Sequence, residues 1–261
     1  MGKKKQIYYA RTYRRIELDA KACIIFACLL VLPVILLLLF FMDELTALIT
    51  DFGVMVLSSV IPREDIVVKV TDYAFLHEMH YIDLPMHNPG MWMIVGNLIV
   101  CLLTLILLRV FKRTGRPLAI YATFAIMIHI VSCAFFAFAA KYFPYTMADY
   151  SELYMKQQIG IWITFALLAG LVVSFMGAKH YGLKAFTFYF IMLYALVFGT
   201  IRYVLFLYLL HQFSALYMAL LFFVVGPTFD FSYFVIIYAF FVNKTIRNSE
   251  SGESKEIWKW S

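Results

Sequence analysis

The sequence predicts an all-α polytopic membrane protein, a bundle of about six transmembrane helices with both termini cytoplasmic and one longer extracytoplasmic loop with room for a small β-hairpin. Three observations predict it. The chain is 64% hydrophobic and 15% charged with a mean hydropathy of +0.83, against about 45–50% apolar and about 25% charged in soluble domains, which excludes a single water-soluble domain. The apolar excess is gathered in runs of roughly 20 residues, the length that crosses a hydrocarbon core of about 30 Å at about 1.5 Å per residue. Finally, basic residues collect on alternate segments between the runs, as the positive-inside rule requires.

The runs fall at 22–42, 91–111, 118–143, 159–178, 185–211 and 215–242. Residues 1–21 form a basic cytoplasmic segment, 22–243 the transmembrane domain, and 244–261 a polar cytoplasmic tail. Most of the 22 basic residues lie before the first run, around Arg109 to Arg116, at Lys179 and Lys184, and after Lys244. The opposite segments hold most of the 16 acids, from Asp43 through Asp83 with Asp149 and Glu152. The net charge of +6 is thus spread over membrane-flanking segments, which points to topology and anionic lipid rather than to nucleic acid. The first run is too long for a signal peptide and no small-residue cleavage pattern follows Met42, so it is expected to remain as a span.

The longer outside segment, about 43–90, begins with an apolar stretch to Ile61, either a helix at the interface or a continuation of the first span, which Pro62 stops. Beyond it, Asp65–Phe75 and His80–Pro85 are rich in β-branched and aromatic residues and suit two short strands. The second outside segment, Pro144 to Gln158, carries Tyr145, Tyr150 and Tyr154 among acids, and its rings suit headgroup-level anchors. In the fourth run Ala166, Gly170, Ser174 and Ala178 recur every four residues, a ridge read as packing within the bundle rather than as a subunit interface. The tail beyond Asn248 is expected to be disordered or to lie on the membrane surface. Cys23, Cys28, Cys101 and Cys133 all fall within the runs, so no disulfide framework is expected.

Ionisable groups inside apolar spans are costly and mark candidate sites. Arg202 lies in the fifth run and Asp230 in the sixth, just after Gly226-Pro227. Pro227 is expected to kink its helix and to free a carbonyl that needs a partner inside the protein. His129 sits one turn from Cys133, and Asn97 sits one turn from Cys101, so these polar faces are expected to point inward. Arg202, Asp230, His129 and Asn97 make up the candidate intramembrane polar site. Outside the membrane, His77, His80 and His87 cluster with Met79, Met86, Met91 and Met93. Imidazole with thioether suits copper, and imidazole with carboxylate suits zinc, although the spacing matches no defined metal motif. Nucleophile elbows, zinc-protease helices, phosphate loops and dinucleotide fingerprints are absent, so those chemistries find no support.

One stretch has a distinctive layout. An outside segment with short strands runs into Asn88-Pro-Gly-Met-Trp at the start of a span, a basic turn follows at Lys112-Arg-Thr-Gly-Arg-Pro, and after the next span a short outside loop enters Gly160-Ile-Trp. This layout resembles the catalytic region of exosortases and archaeosortases, polytopic envelope enzymes of the membrane transpeptidase type. That family places a Cys-Ser-Gly motif, an arginine at the outer end of the second of these spans and a loop histidine there. This chain has Asn88-Pro-Gly instead, and neither the arginine nor the histidine. The resemblance covers about a third of the chain, transfers no catalytic residue and implies a relative without that chemistry.

Two functional classes follow. The first is a non-enzymatic accessory or scaffold subunit of a cell-envelope assembly in the plasma or inner membrane, partnered by the lipid bilayer and other membrane proteins. The second is an outward-facing enzyme of exosortase-like type, or a transporter using a buried Arg/Asp site. Convergence of Arg202, Asp230 and the histidine loop on one cavity favours the second class, and separate placement favours the first.

Overall fold

The computed structural model describes residues 14–16, 20–73, 78–110, 116–175, 181–248 and 258–260. Among them the elements are β1 (Arg14–Ile16), α1 (Ala20–Phe40), α2 (Met42–Leu57), β2 (Val67–Asp72), β3 (Glu78–Asp83), α3 (Met91–Val110), α4 (Arg116–Ala139), α5 (Met147–Ser174), α6 (Tyr181–Gln212), α7 (Met218–Leu220), α8 (Gly226–Asn248) and β4 (Trp258–Trp260). Six helical segments among the described residues are long and apolar enough to cross a membrane, in α1, α3, α4, α5, α6 and the run Ala215–Lys244, which takes in α7 and most of α8. The chain is an integral, multi-pass, helical membrane protein.

α1 is apolar almost throughout, and α2 follows it after a break at Phe41. With 16 residues, α2 is too short to cross the membrane. It is amphipathic: Met42, Thr46, Ile49, Gly53 and Leu57 are buried at helical spacing, with Asp43 and Glu44 in the first turn, where the helix dipole favours acids. Pro62 follows and opens a short 3₁₀ turn, Arg63–Asp65. β2 and β3 pair antiparallel from Val67↔Asp83 to Asp72↔Glu78, and Lys69 reaches Asp83 at 2.7 Å across the pair. That carboxylate raises the proton affinity of the Lys69 ammonium above its ordinary value. β3 buries Met79, Tyr81 and Ile82 against α2 and α5.

The fourth span is longer than its sequence suggests. Instead of a loop to Gln158, α5 starts at Met147, set by a capping box in which Thr146 and Asp149 exchange side-chain and backbone hydrogen bonds. Tyr150 and Tyr154 are consequently not headgroup anchors: both are buried, at 2% and 1% exposure. The charges that made this stretch look like a loop sit on one face, where Lys156 meets Glu152 one turn away at 2.5 Å. Ser151, Tyr154, Gln158 and Trp162 occupy the inward face.

A main core joins α1, α2, β3, α5, α6 and α8. α3 and α4 pair with each other and touch the rest chiefly through Ala215–Leu220, where Ile94, Cys133, Phe136, Ala215 and Leu216 form a second small core. Both present wide apolar faces outward, and Trp92 and Phe138, nearly fully exposed, stand at the same end of this antiparallel pair. The ridge on α5 works inside the bundle: Ala166, Gly170 and Ser174 are buried, and Gly170 lies against Val31 of α1 and Phe188 of α6. Ala178 lies outside the described residues. In the tail, the described residues Trp258–Trp260 pair antiparallel with Arg14–Ile16.

Candidate functional site

The centre of the main core is polar. Its organising residue is Arg202 on α6, 3% exposed. A guanidinium presents five donors in a rigid fork, and here the fork is filled from two helices, α5 and α8. Nε donates to the Tyr154 hydroxyl. Nη2 donates to Gln158 Oε1 at 2.9 Å, and Nη1 donates to the Gly226 carbonyl at 2.7 Å. Nη1 also stands 2.8 Å from Asp230 Oδ1. Nη1 thus serves both the Gly226 carbonyl and the carboxylate, which is held as an ion pair.

The backbone of the sixth span prepares this arrangement. Leu221–Val225 is a π-helical turn, closed by the Gly226 N–H donating to the Leu221 carbonyl. Such turns and a following proline leave carbonyls without their regular partners, which a membrane protein must satisfy internally. Arg202 takes Gly226, while Val224 accepts from Tyr121 of α4 at 2.9 Å and from the Thr228 hydroxyl at 2.5 Å. Neither is the carbonyl that Pro227 itself deprives of a partner, which lies a full turn before it at Phe222–Phe223. Gly199 makes room for Gln158: a Cβ there would overlap the carboxamide that Arg202 uses.

The network continues to the strands. Tyr203, adjacent to Arg202, stacks on Tyr154 with ring centroids 5.8 Å apart. Its hydroxyl accepts from the Ile82 N–H at 2.8 Å and meets Ser151 Oγ at 2.6 Å. The polar core therefore runs from β3 to Asp230. Tyr154, Gln158, Tyr203 and Ser151 are the members that sequence reasoning missed. The signal that could have found three of them is the 151–154–158 helical spacing upstream of the apolar run.

Asn97 and His129 form a different cluster, between α3 and α4. His129 Nε2 lies 3.0 Å from Asn97 Oδ1, which also accepts from Tyr217 at 3.0 Å, and the Tyr217 ring stacks on the imidazole at 5.2 Å. Among the described residues no hydrogen bond or ion pair joins this cluster to Arg202 and Asp230. The histidine loop is placed elsewhere again. His80 Nε2 lies 2.7 Å from Asp43 Oδ1, whereas the His87 ring is 6.3 Å from that of His211, whose Nδ1 donates to the Pro85 carbonyl at 2.7 Å. His77 lies outside the described residues. The four cysteines are free thiols.

Chemically, the Arg202 cluster is closed. The crevice bordered by Ile49, Tyr154, Gln158, Trp162, Gly199 and Tyr203 has no room for a water molecule. Asp230 is 2% exposed. The pair and the hydrogen bonds of Arg202 join α5, α6 and α8. Compared with known protein families, with curated proteins and with solved structures, the chain matches none.

Proposed function

We propose that the chain is a non-enzymatic accessory or scaffold subunit of a cell-envelope membrane assembly, seated in the plasma or inner membrane with both termini cytoplasmic. The closed Arg202 cluster is the observation that carries this reading. A substrate pathway needs polar groups converging on a space that a ligand can enter. Here the charged pair, the Asn97–His129 pair and the loop histidines sit apart, Arg202 and Asp230 are both buried, and the crevice beside Tyr154 and Gln158 has no room for water. The polar core makes α5, α6 and α8 one rigid unit, from which the α3–α4 pair presents its apolar faces to other membrane proteins.

This assignment is tested in native membranes with photo-crosslinking residues at Val100 and Leu103 of α3 and at Phe124 and Met127 of α4, all exposed. Discrete protein adducts of defined mass are expected from at least one helix. Adducts to lipid alone at all four positions would overturn the scaffold role. The orientation rests on the distribution of basic residues, and the pairing of β1 with β4 supports an even number of crossings. A reporter fused after Ser261 or Lys112 is therefore expected to read cytoplasmic, and one inserted at Asp65 extracytoplasmic. The reverse reading at Ser261 would overturn the topology.

One observation favours the transporter or enzyme alternative. Gln158 Nε2 and Trp162 Nε1 are buried without a hydrogen-bond partner in the protein, and a second conformation that opens toward them would offer a polar ligand two unused donors. The same crosslinking experiment separates the two, because a transporter or enzyme needs no fixed protein neighbour at α3 and α4.

A further inference from the structure

Asp43, Glu78 and His80 each bring one ligand atom within 4.8 Å of the others. Two local features assemble them. Glu78 and His80 are alternate residues of β3, and alternate residues of a strand project to the same face. The His80 N–H then donates at 3.1 Å to Oγ1 of Thr46, a buried residue in the first turns of α2, which docks the strand beside Asp43 in a single register. The imidazole Nε2 consequently reaches Asp43 Oδ1 at 2.7 Å. The His80 side chain is 23% exposed and that of Asp43 49%, and Glu78 is exposed, so an ion in solution can reach all three.

We propose that Asp43, Glu78 and His80 bind one divalent first-row transition-metal ion of the zinc class, clamping the β2–β3 pair to α2. The donor set decides the class. One imidazole nitrogen with two carboxylates suits zinc and its neighbours, whereas magnesium and calcium prefer shells built from oxygen alone. With no thiolate in the set, a soft monovalent copper ion is not favoured. Bonds of about 2.0–2.2 Å place neighbouring ligand atoms farther apart than a hydrogen bond does, so the ion replaces the proton shared by His80 and Asp43 and the contact opens slightly. Three protein ligands leave a fourth position for water. The set shares only His80 with the histidine cluster seen in the sequence, since His87 stands against His211.

The experiment uses the full-length protein in detergent, with its affinity tag removed and stripped by chelator, titrated with zinc chloride by calorimetry and followed by thermal unfolding. One equivalent of zinc is expected to bind, magnesium is not, and the unfolding temperature should rise with free zinc, because a ligand of the folded state stabilises it by mass action. Glu78→Gln changes an exposed side chain and is expected to weaken zinc binding at least about tenfold with the fold unaffected. His80→Ala is expected to abolish binding while the strand stays docked, because the backbone of His80, not its ring, holds Thr46. His87→Ala should bind as the parent does. No zinc uptake by the parent protein would overturn the site. So would uptake that survives both Glu78→Gln and His80→Ala, or uptake lost in His87→Ala.

Discussion

Arg202→Leu is expected to cost about 3–5 kcal/mol of stability, and Asp230→Leu a comparable amount, because each leaves its partner as an uncompensated buried charge. Removing both should cost clearly less than the sum of the two, with a coupling of up to about 3 kcal/mol. The double variant still falls short of the parent. Without Arg202, the Tyr154 hydroxyl, Gln158 Oε1 and the Gly226 carbonyl lose their donor, and a buried acceptor left unmade costs about 1–3 kcal/mol. Arg202→Lys is also not conservative here, since a single ammonium cannot fork toward partners on both α5 and α8. The measurement is a double-mutant cycle on thermal unfolding and folded yield in detergent. Strictly additive losses would mean that Arg202 and Asp230 do not share one site.

How much of this could be read from the residues depends on distance along the chain. The six long apolar segments are local properties of windows of about 20 residues and stand out directly. Arg202 and Asp230 stand out too, because a charge within an apolar run is itself the anomaly. Their pairing does not follow from depth along each helix, which differs by roughly 10 Å at helical rise. It depends on how far an arginine extends and on the π-helical turn ahead of Pro227, neither of which has a linear signature. Tyr154 and Gln158 were hidden for another reason. Glu152, Lys156 and Gln157 share their stretch, and average polarity masks a helix whose two faces differ, although the Thr146–Asp149 capping box marks where that helix begins. Asp43 and His80 are separated by an entire helix and a strand, and their approach rests on the packing of β3 against α2 and on the bond from His80 to Thr46. The Asn97–His129 contact was prepared by one-turn spacings on two helices, yet the third member, Tyr217, comes from a segment that only tertiary packing brings near.

Gly170→Ala tests the other dependence of the fold, the close approach of α1 to α5. A Cβ at position 170 would overlap Cγ2 of Val31, with Val31 Cβ at 3.7 Å and Phe188 Cε2 at 3.6 Å. Valine has one strongly preferred rotamer in a helix, so its methyl cannot simply turn away. The helix must shift instead, at about 1–3 kcal/mol for an overpacked core, which outweighs the roughly 1 kcal/mol that alanine gains over glycine in helix propensity. Val31→Ala in the same chain removes the offending methyl and leaves the new Cβ with only ordinary van der Waals neighbours. The double variant is therefore expected to recover at least half of the lost stability, measured as unfolding temperature in detergent. Val31→Ala alone should be mildly destabilising, by about 1 kcal/mol for the lost methyls. Rescue of this kind places the Gly170 ridge inside one chain. If Gly170→Ala instead dissociated an oligomer without lowering the unfolding temperature of the monomer, the ridge would belong to a subunit interface and α1 would not lie against it.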